Sequence, residues 1–198
     1  MMSRPNYPLA DIGRRIHVFG SSCSGKSTLA AELAGLLNAP FVELDALNWL
    51  PGWVGLDKTD PAYLMERFDA ATTSESWVVG GSYHTFATQT FWPRLDTVIF
   101  LDLPRWLLLQ RVVRRSWRRW RDHELLWGTN YESFWKQFAL WRKHESLIWW
   151  IWTTYDKKQQ QFADIKTDPR WQHIKIIHLR GTWEIAAFRS SLGLGPTP

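Results

Sequence analysis

Gly20-Ser21-Ser22-Cys23-Ser24-Gly25-Lys26-Ser27 satisfies every constrained position of the phosphate-loop pattern G-x-x-x-x-G-K-[ST]. The flanks agree with it. Ile16, Val18 and Phe19 lie in a short β-prone run before the loop, and Ser27 to Leu37 repeats apolar residues at helical spacing after it. Gly20 and Gly25 permit a turn whose main-chain N–H groups gather round an anion, in front of the positive end of a helix dipole. Ser21, Ser22, Cys23, Ser24 and Thr28 complete the candidate nucleotide cradle. Lys26 is placed to reach β- and γ-phosphates. Ser27 offers a hydroxyl to Mg²⁺, a hard cation that prefers oxygen ligands and retains waters. A nucleoside triphosphate is the expected ligand.

The elements expected outside the loop are strands at 15–19, 41–44, 76–80, 96–101 and 174–179 and helices at 26–37, 61–72, 104–121, 131–154 and 183–192. Alternating strands and helices predict an α/β fold, three-layered α/β/α, with ligands at the carboxyl ends of a parallel sheet. Asp60-Pro61 marks a helix start, Asp102 reads as a cap for the helix after Leu103-Pro104 rather than as a Walker-B aspartate, and Thr182 can cap the last helix. The length of 198 residues suits one domain over 1–198, with loose ends at 1–11 and 193–198. One cysteine rules out an internal disulfide framework, and six scattered histidines have no ligand-like spacing. Cys23 reads as filling a permitted variable position of the loop. No stretch approaches a membrane span, Leu147 to Trp152 being the longest apolar run, so a cytoplasmic protein is expected, as a monomer or homodimer.

These motifs resemble the P-loop nucleotide-kinase-like superfamily, and within it the DNA topology modulation family. Beyond the loop, the resemblance rests on Glu43-Leu44-Asp45-Ala46-Leu47-Asn48-Trp49 with Pro51-Gly52-Trp53, on Trp77-Val78-Val79-Gly80-Gly81-Ser82-Tyr83, on Val98 to Arg105, and on an arginine-rich stretch ending near Trp127 to Ser133. It implies a P-loop NTPase core with a five-stranded parallel sheet, an Arg-rich helical lid at about 115–135, and ATP with Mg²⁺ as phosphoryl donor. It leaves the small-molecule acceptor open, a hydroxyl compound or a nucleoside monophosphate. The chain departs from its relatives at Gly80, where an aspartate that organises the metal's waters is common. Glu43 and Asp45 resemble the Asp-x-Asp of shikimate-type kinases instead, which implies Glu43 for Mg²⁺ through water and Asp45 for the acceptor. The Gly80-Gly81 pair is similar to their glycine-rich substrate turn. Arg180 precedes the last helix, a position that in this superfamily borders the adenine.

Charge has a definite address. Of 24 Lys and Arg against 19 Asp and Glu, seven arginines and no acid fall within residues 104–121. On a helical wheel Arg111, Arg114, Arg115, Arg118, Arg119 and Arg121 share one side, expected to meet anions. Trp106, Leu109, Val113, Trp117 and Trp120 share the other, expected to pack. Arg111, Arg115 and Arg118 are the candidates for neutralising charge on a migrating phosphoryl group. The same arginines could grip a nucleic-acid backbone, with tryptophans stacking on bases, although no nucleic-acid module is visible. Of the 15 tryptophans, Trp135, Trp141, Trp149 and Trp152 are read as packing residues. Trp49, Trp53, Tyr83, Trp92 and Trp127, with Gly81, are the candidates for covering an acceptor.

Overall fold

The computed structural model describes residues 7–134 and 146–195. Trp135, Trp141, the middle of the expected helix 131–154, and the outermost terminal residues lie outside them.

The chain begins with a 3₁₀ turn, Leu9–Ile12, and then β1 (Arg15–Gly20), whose every residue after Arg15 is buried. The loop leads into α1 (Lys26–Leu37) and β2 (Phe41–Glu43), and a short α2 (Leu44–Asn48) follows without a linker. A small hairpin, β3 (Trp49–Leu50) and β4 (Val54–Gly55), precedes α3 (Leu56–Thr59) and α4 (Pro61–Ala71). Then come β5 (Trp77–Gly80), α5 (His84–Gln89), β6 (Thr97–Asp102) and α6 (Arg105–Arg121). A second hairpin, β7 (Leu125–Leu126) and β8 (Asn130–Tyr131), leads towards α7 (Leu147–Thr167), β9 (Lys175–Arg180) and α8 (Gly181–Ser191).

Five strands form one parallel sheet in the order β2-β5-β1-β6-β9. The period-2 alternation of a strand then assigns each face its core. Ile16 and Val18 look towards α1 and α8, with Leu29, Leu33 and Phe188; His17 and Phe19 look towards Phe91, Trp92, Phe100 and Phe162 on the other side. Trp77 and Trp92 are fully buried, each indole removing ~150–250 Å² from water. β1 is thus central in the sheet and covered on both faces, which anchors the loop that follows it.

Several expectations need correction. At the described ends of the helix expected at 131–154, Asn130–Tyr131 pairs as a strand, and α7 begins after Ser146, whose hydroxyl accepts the Trp149 N–H at 3.3 Å, and runs on to Thr167. Asp60 caps α4 as read, accepting from Tyr63 N–H at 3.1 Å. Asp102 caps nothing; its two oxygens are taken by Gln159 (2.5 Å) and His178 (2.9 Å), joining α7 to β9. Thr182 is inside α8, and Glu184 performs the capping by accepting the Arg180 N–H at 2.7 Å. Of the terminal residues described, Tyr7 packs edge-on against Phe188, and the Gly195 carbonyl accepts from Arg189.

The tryptophan side of α6 packs only in part, through Leu109 and through Trp117 and Trp120 against Phe134. The stripe that enters the core is Leu108, Val112 and Ser116, against Ile151 of α7, while Trp106 is 67% exposed and Trp117 and Trp120 are exposed too. Trp152 is likewise exposed, with the Arg105 guanidinium lying 4.9 Å from its ring centre.

Candidate functional site

The carboxyl ends of β1, β2 and β5 open into a cleft of about 950 Å³. Its floor is the loop. Gly25 takes φ +95° immediately before α1, a left-handed conformation that glycine adopts without strain. Cys23 also takes a positive φ of 62°. A Cβ on Gly20 would lie 2.8 Å from the Leu101 carbonyl, so only glycine fits where the loop leaves the sheet. The first bond into α1 runs from Leu29 N–H to the Gly25 carbonyl, and no side chain caps the helix. The N–H groups of Lys26, Ser27 and Thr28 therefore have no intrahelical acceptor. The Ser24 hydroxyl is buried without a hydrogen-bond partner among the described residues. Lys26 is buried and, with Ser22, Cys23, Ser27 and Thr28, lines the cleft. Burial pushes the Cys23 thiol up, only partly opposed by Arg115 and Lys26, which makes it a filler and not a nucleophile.

Such a loop between a central parallel strand and a helix, in a sheet of order β2-β5-β1-β6-β9, decides the architecture. The fold is a three-layer α/β/α core built on a phosphate loop.

The opposite wall of this P-loop cleft comes from the ends of β2 and β5. β2 stops at Glu43 and turns at once into α2, so Glu43 and Asp45 both face the cleft, two residues apart. Glu43 is the register neighbour of Gly80, which places a carboxylate on the adjacent strand at the level where this chain lacks one. Gly80 itself is pinned: a Cβ there would lie 3.2 Å from Ala30 Cβ and 3.4 Å from Ser27 Cα. Gly81 is tighter still, with a Cβ falling 2.6 Å from Leu44 Cβ. Tyr83 donates to Asp45 Oδ1 at 2.9 Å, and Ser82 Oγ donates to the Gly20 carbonyl at 2.5 Å.

The roof is made by the two hairpins and α6. Trp127 donates its indole N–H to Glu43 Oε2 at 3.2 Å. Trp53, at φ +62°, donates its main-chain N–H to Asn130 Oδ1 at 2.9 Å and its indole N–H to the Tyr131 carbonyl at 3.1 Å, and Asn130 donates to the Leu50 carbonyl at 3.1 Å. Trp49, Trp53 and Trp127 meet edge to face, with centroids 5.5 and 5.9 Å apart. On α6 the half-buried line is Arg111, Arg115 and Arg119, one helical turn apart, while Arg118 stands at the rim. Arg111 leans on the loop, 3.3 Å from the Ser24 carbonyl. Arg119 pairs with the buried Glu132 at 3.1 Å and with Glu124 at 3.3 Å; Arg115 lies 4.0 Å from Glu132, and Arg118 4.0 Å from Glu124.

Two candidates stand elsewhere. Trp92 is a core residue, its indole N–H donated to His17 Nδ1 at 3.1 Å, so it covers no ligand. Arg180 is exposed at the end of β9, outside the cleft lining, with its Nε 3.4 Å from His178 Nδ1. Sequence reasoning missed Lys158, which α7 buries in the cleft near Lys26 and Asp45. A lysine beside Lys157 in a segment of mixed polarity carries no signal of its own.

Ser27, Glu43 and Asp45 supply oxygen donors that fit a hard cation, and among the described residues no group of three or more His, Cys, Asp or Glu could hold one unaided. A metal here would draw its remaining ligands from phosphates and water.

No protein-family model matches the chain. It is similar to the uncharacterized protein YqaC of Bacillus subtilis (strain 168), 27% identical over 128 residues, 65% of this chain and 70% of that protein. Among solved structures, a gluconokinase from Sinorhizobium meliloti 1021 aligns with 92% of this chain and 91% of its own at 19% identity, with a TM-score of 0.49. A shikimate kinase from Acinetobacter baumannii in complex with shikimate aligns with 54% of this chain and 65% of its own at 23% identity, with a TM-score of 0.37. No helix among the described residues is long and apolar enough to cross a membrane.

Proposed function

We propose that this protein is an ATP-dependent phosphotransferase that moves the γ-phosphoryl group of Mg·ATP to a hydroxyl of a small acceptor. The observation that carries the reading is one cleft holding, on its floor, Lys26 and Ser27 of the phosphate loop and, on its wall, the Asp45 carboxylate held by Tyr83. The loop amides and Lys26 hold the triphosphate, and Ser27 and Glu43 hold the metal with its waters. Glu43, beside Gly80 in the sheet, takes the part of the missing aspartate.

With Oδ1 engaged by Tyr83, Asp45 has its second oxygen for an acceptor hydroxyl, and a carboxylate is suited to taking that proton. A nucleoside monophosphate acceptor would call for arginines there instead. Arg111, beside the loop, neutralises charge on the migrating group, with Arg115 and Arg118 closing from α6. The pairing of Arg115, Arg118 and Arg119 with Glu124 and Glu132 supports an internal role for this side of α6 over a nucleic-acid grip. A screen of polyols, sugar acids and nucleoside monophosphates for ADP release from Mg·ATP tests the reading. Stimulation by one hydroxyl compound, abolished in Lys26→Ala, is expected. Release that is the same in wild type and Lys26→Ala would refute it.

A further inference from the structure

Lys158 is only 7% exposed, yet it lines the cleft together with Lys26 and Asp45. Withdrawing an ammonium from water costs several kcal/mol unless an anion or hydrogen bonds compensate. Among the described residues its ammonium has no hydrogen-bond acceptor and no ion-pair partner; what it has is the face of Phe19, with Nζ 5.6 Å from the ring centre. The charged and titratable groups that face it are Lys26 on α1, Asp45 on α2 and His84 on α5. Lys26 belongs to the donor side of the cleft and Asp45 to the acceptor side, and Lys158 is within electrostatic reach of both.

We propose, resting on the phosphotransferase reading, that Lys158 is a second ammonium ligand of the terminal phosphoryl group, holding it beside Lys26 as it passes towards Asp45. In the step itself the acceptor oxygen bonds to the γ-phosphorus as the bond to the β–γ bridging oxygen breaks. ADP leaves with that electron pair, and the hydroxyl proton passes to Asp45. Lys158 gives up no proton; it supplies charge where charge migrates. Without the nucleotide, burial and then the Lys26 charge hold its pKa down to about 7. The arrival of the terminal phosphoryl dianion restores the ammonium, and binding takes up a proton from solvent.

The test is isothermal titration calorimetry at pH 8.5, in two buffers of different ionisation enthalpy, with Mg·ATP and Mg·ADP. Wild type is expected to take up on the order of one proton with Mg·ATP and much less with Mg·ADP. Lys158→Met loses the uptake and weakens Mg·ATP by about 10- to 100-fold while sparing Mg·ADP. Lys158→Arg keeps the preference for ATP without the uptake, because guanidinium stays charged. Binding of Mg·ATP to wild type without proton uptake, or equal uptake with Mg·ADP, overturns the inference alone, and neither result depends on a variant folding. No binding of Mg·ATP at all overturns the phosphotransferase reading, and this inference falls with it.

Discussion

Tyr83 donates its phenolic hydrogen to Asp45 Oδ1 at 2.9 Å, joining the loop after β5 to the first turn after β2. Burial, and then the Asp45 charge, push the phenol far above its ordinary range, so it remains a donor at every working pH. With Asp45 as base, Asp45→Asn is expected to lower kcat by roughly 10²- to 10⁴-fold with nucleotide binding retained. Tyr83→Phe should lower it by roughly tenfold, since it removes an orienting bond only. Coupled measurement of ADP release checks both; full activity in Asp45→Asn would remove the base from the mechanism.

Gly81 and Leu44 compete for one space. Gly81→Ala puts a methyl 2.6 Å from Leu44 Cβ and should cost ~1–3 kcal/mol of stability through overpacking. Leu44→Ala alone should cost ~2–5 kcal/mol by opening a cavity. In the double variant the new methyl occupies space that the leucine gave up, so the combined loss is expected to be smaller than the sum. Urea denaturation of the set decides; strict additivity would mean that the two positions do not touch.

His17 makes folding sensitive to acid. Its Nδ1 accepts from Trp92 and its Nε2 donates to the Gly81 carbonyl at 3.2 Å, which fixes a neutral tautomer. Burial lowers its pKa to about 3, against the weaker upward pull of the Gly81 bond. As pH falls below the ordinary imidazole value of ~6.5, the unfolded chain binds a proton that the folded chain refuses. Stability from this group is therefore complete above that pH and declines from there down to about 3, by up to ~1.4 kcal/mol per pH unit. His84, also held low by burial, adds to the loss with the same sign. The urea midpoint should fall steadily from pH 6.5 to 4, and a flat midpoint would show the imidazole charging inside the fold.

Glu132 gathers the roof. It is buried, accepts from Ser116 and Arg119, and has Arg115 within 4.0 Å. Glu132→Ala should cost roughly 3 kcal/mol by leaving Arg119 without its buried partner. Glu132→Gln should cost less, because the hydrogen-bonding shape survives. Thermal melting and limited proteolysis near residues 122–131 report the change; unaltered cleavage in Glu132→Ala would show that the hairpin does not depend on it.

Most of the sheet and its loop were legible because local and global signals coincide there. α1 occupies the range its apolar spacing predicts, and the five strands fall within about a residue of their expected ends. Glu43 and Asp45 lie two residues apart where β2 ends and α2 begins, so both line the cleft. What was not legible depends on long-range partners. Asp102 looks like a cap because Leu103-Pro104 follows it, but Gln159 and His178 reach it from distant segments. Trp92 looks like a loop aromatic until His17 is seen beneath it. The wheel of α6 separates arginine from tryptophan, yet the buried face is the narrow seam between them, Leu108, Val112 and Ser116.

Ser82 Oγ rests on the Gly20 carbonyl, at the point where the phosphate loop leaves the most enclosed strand of the sheet. Because the turn carrying Gly81 and Tyr83 is clipped to that carbonyl, the two halves of the cleft share a mechanical hinge point. Amide hydrogens on both sides would then exchange with deuterium as one cooperative unit, slowly, while the tryptophan-bearing hairpins above them breathe on their own clock.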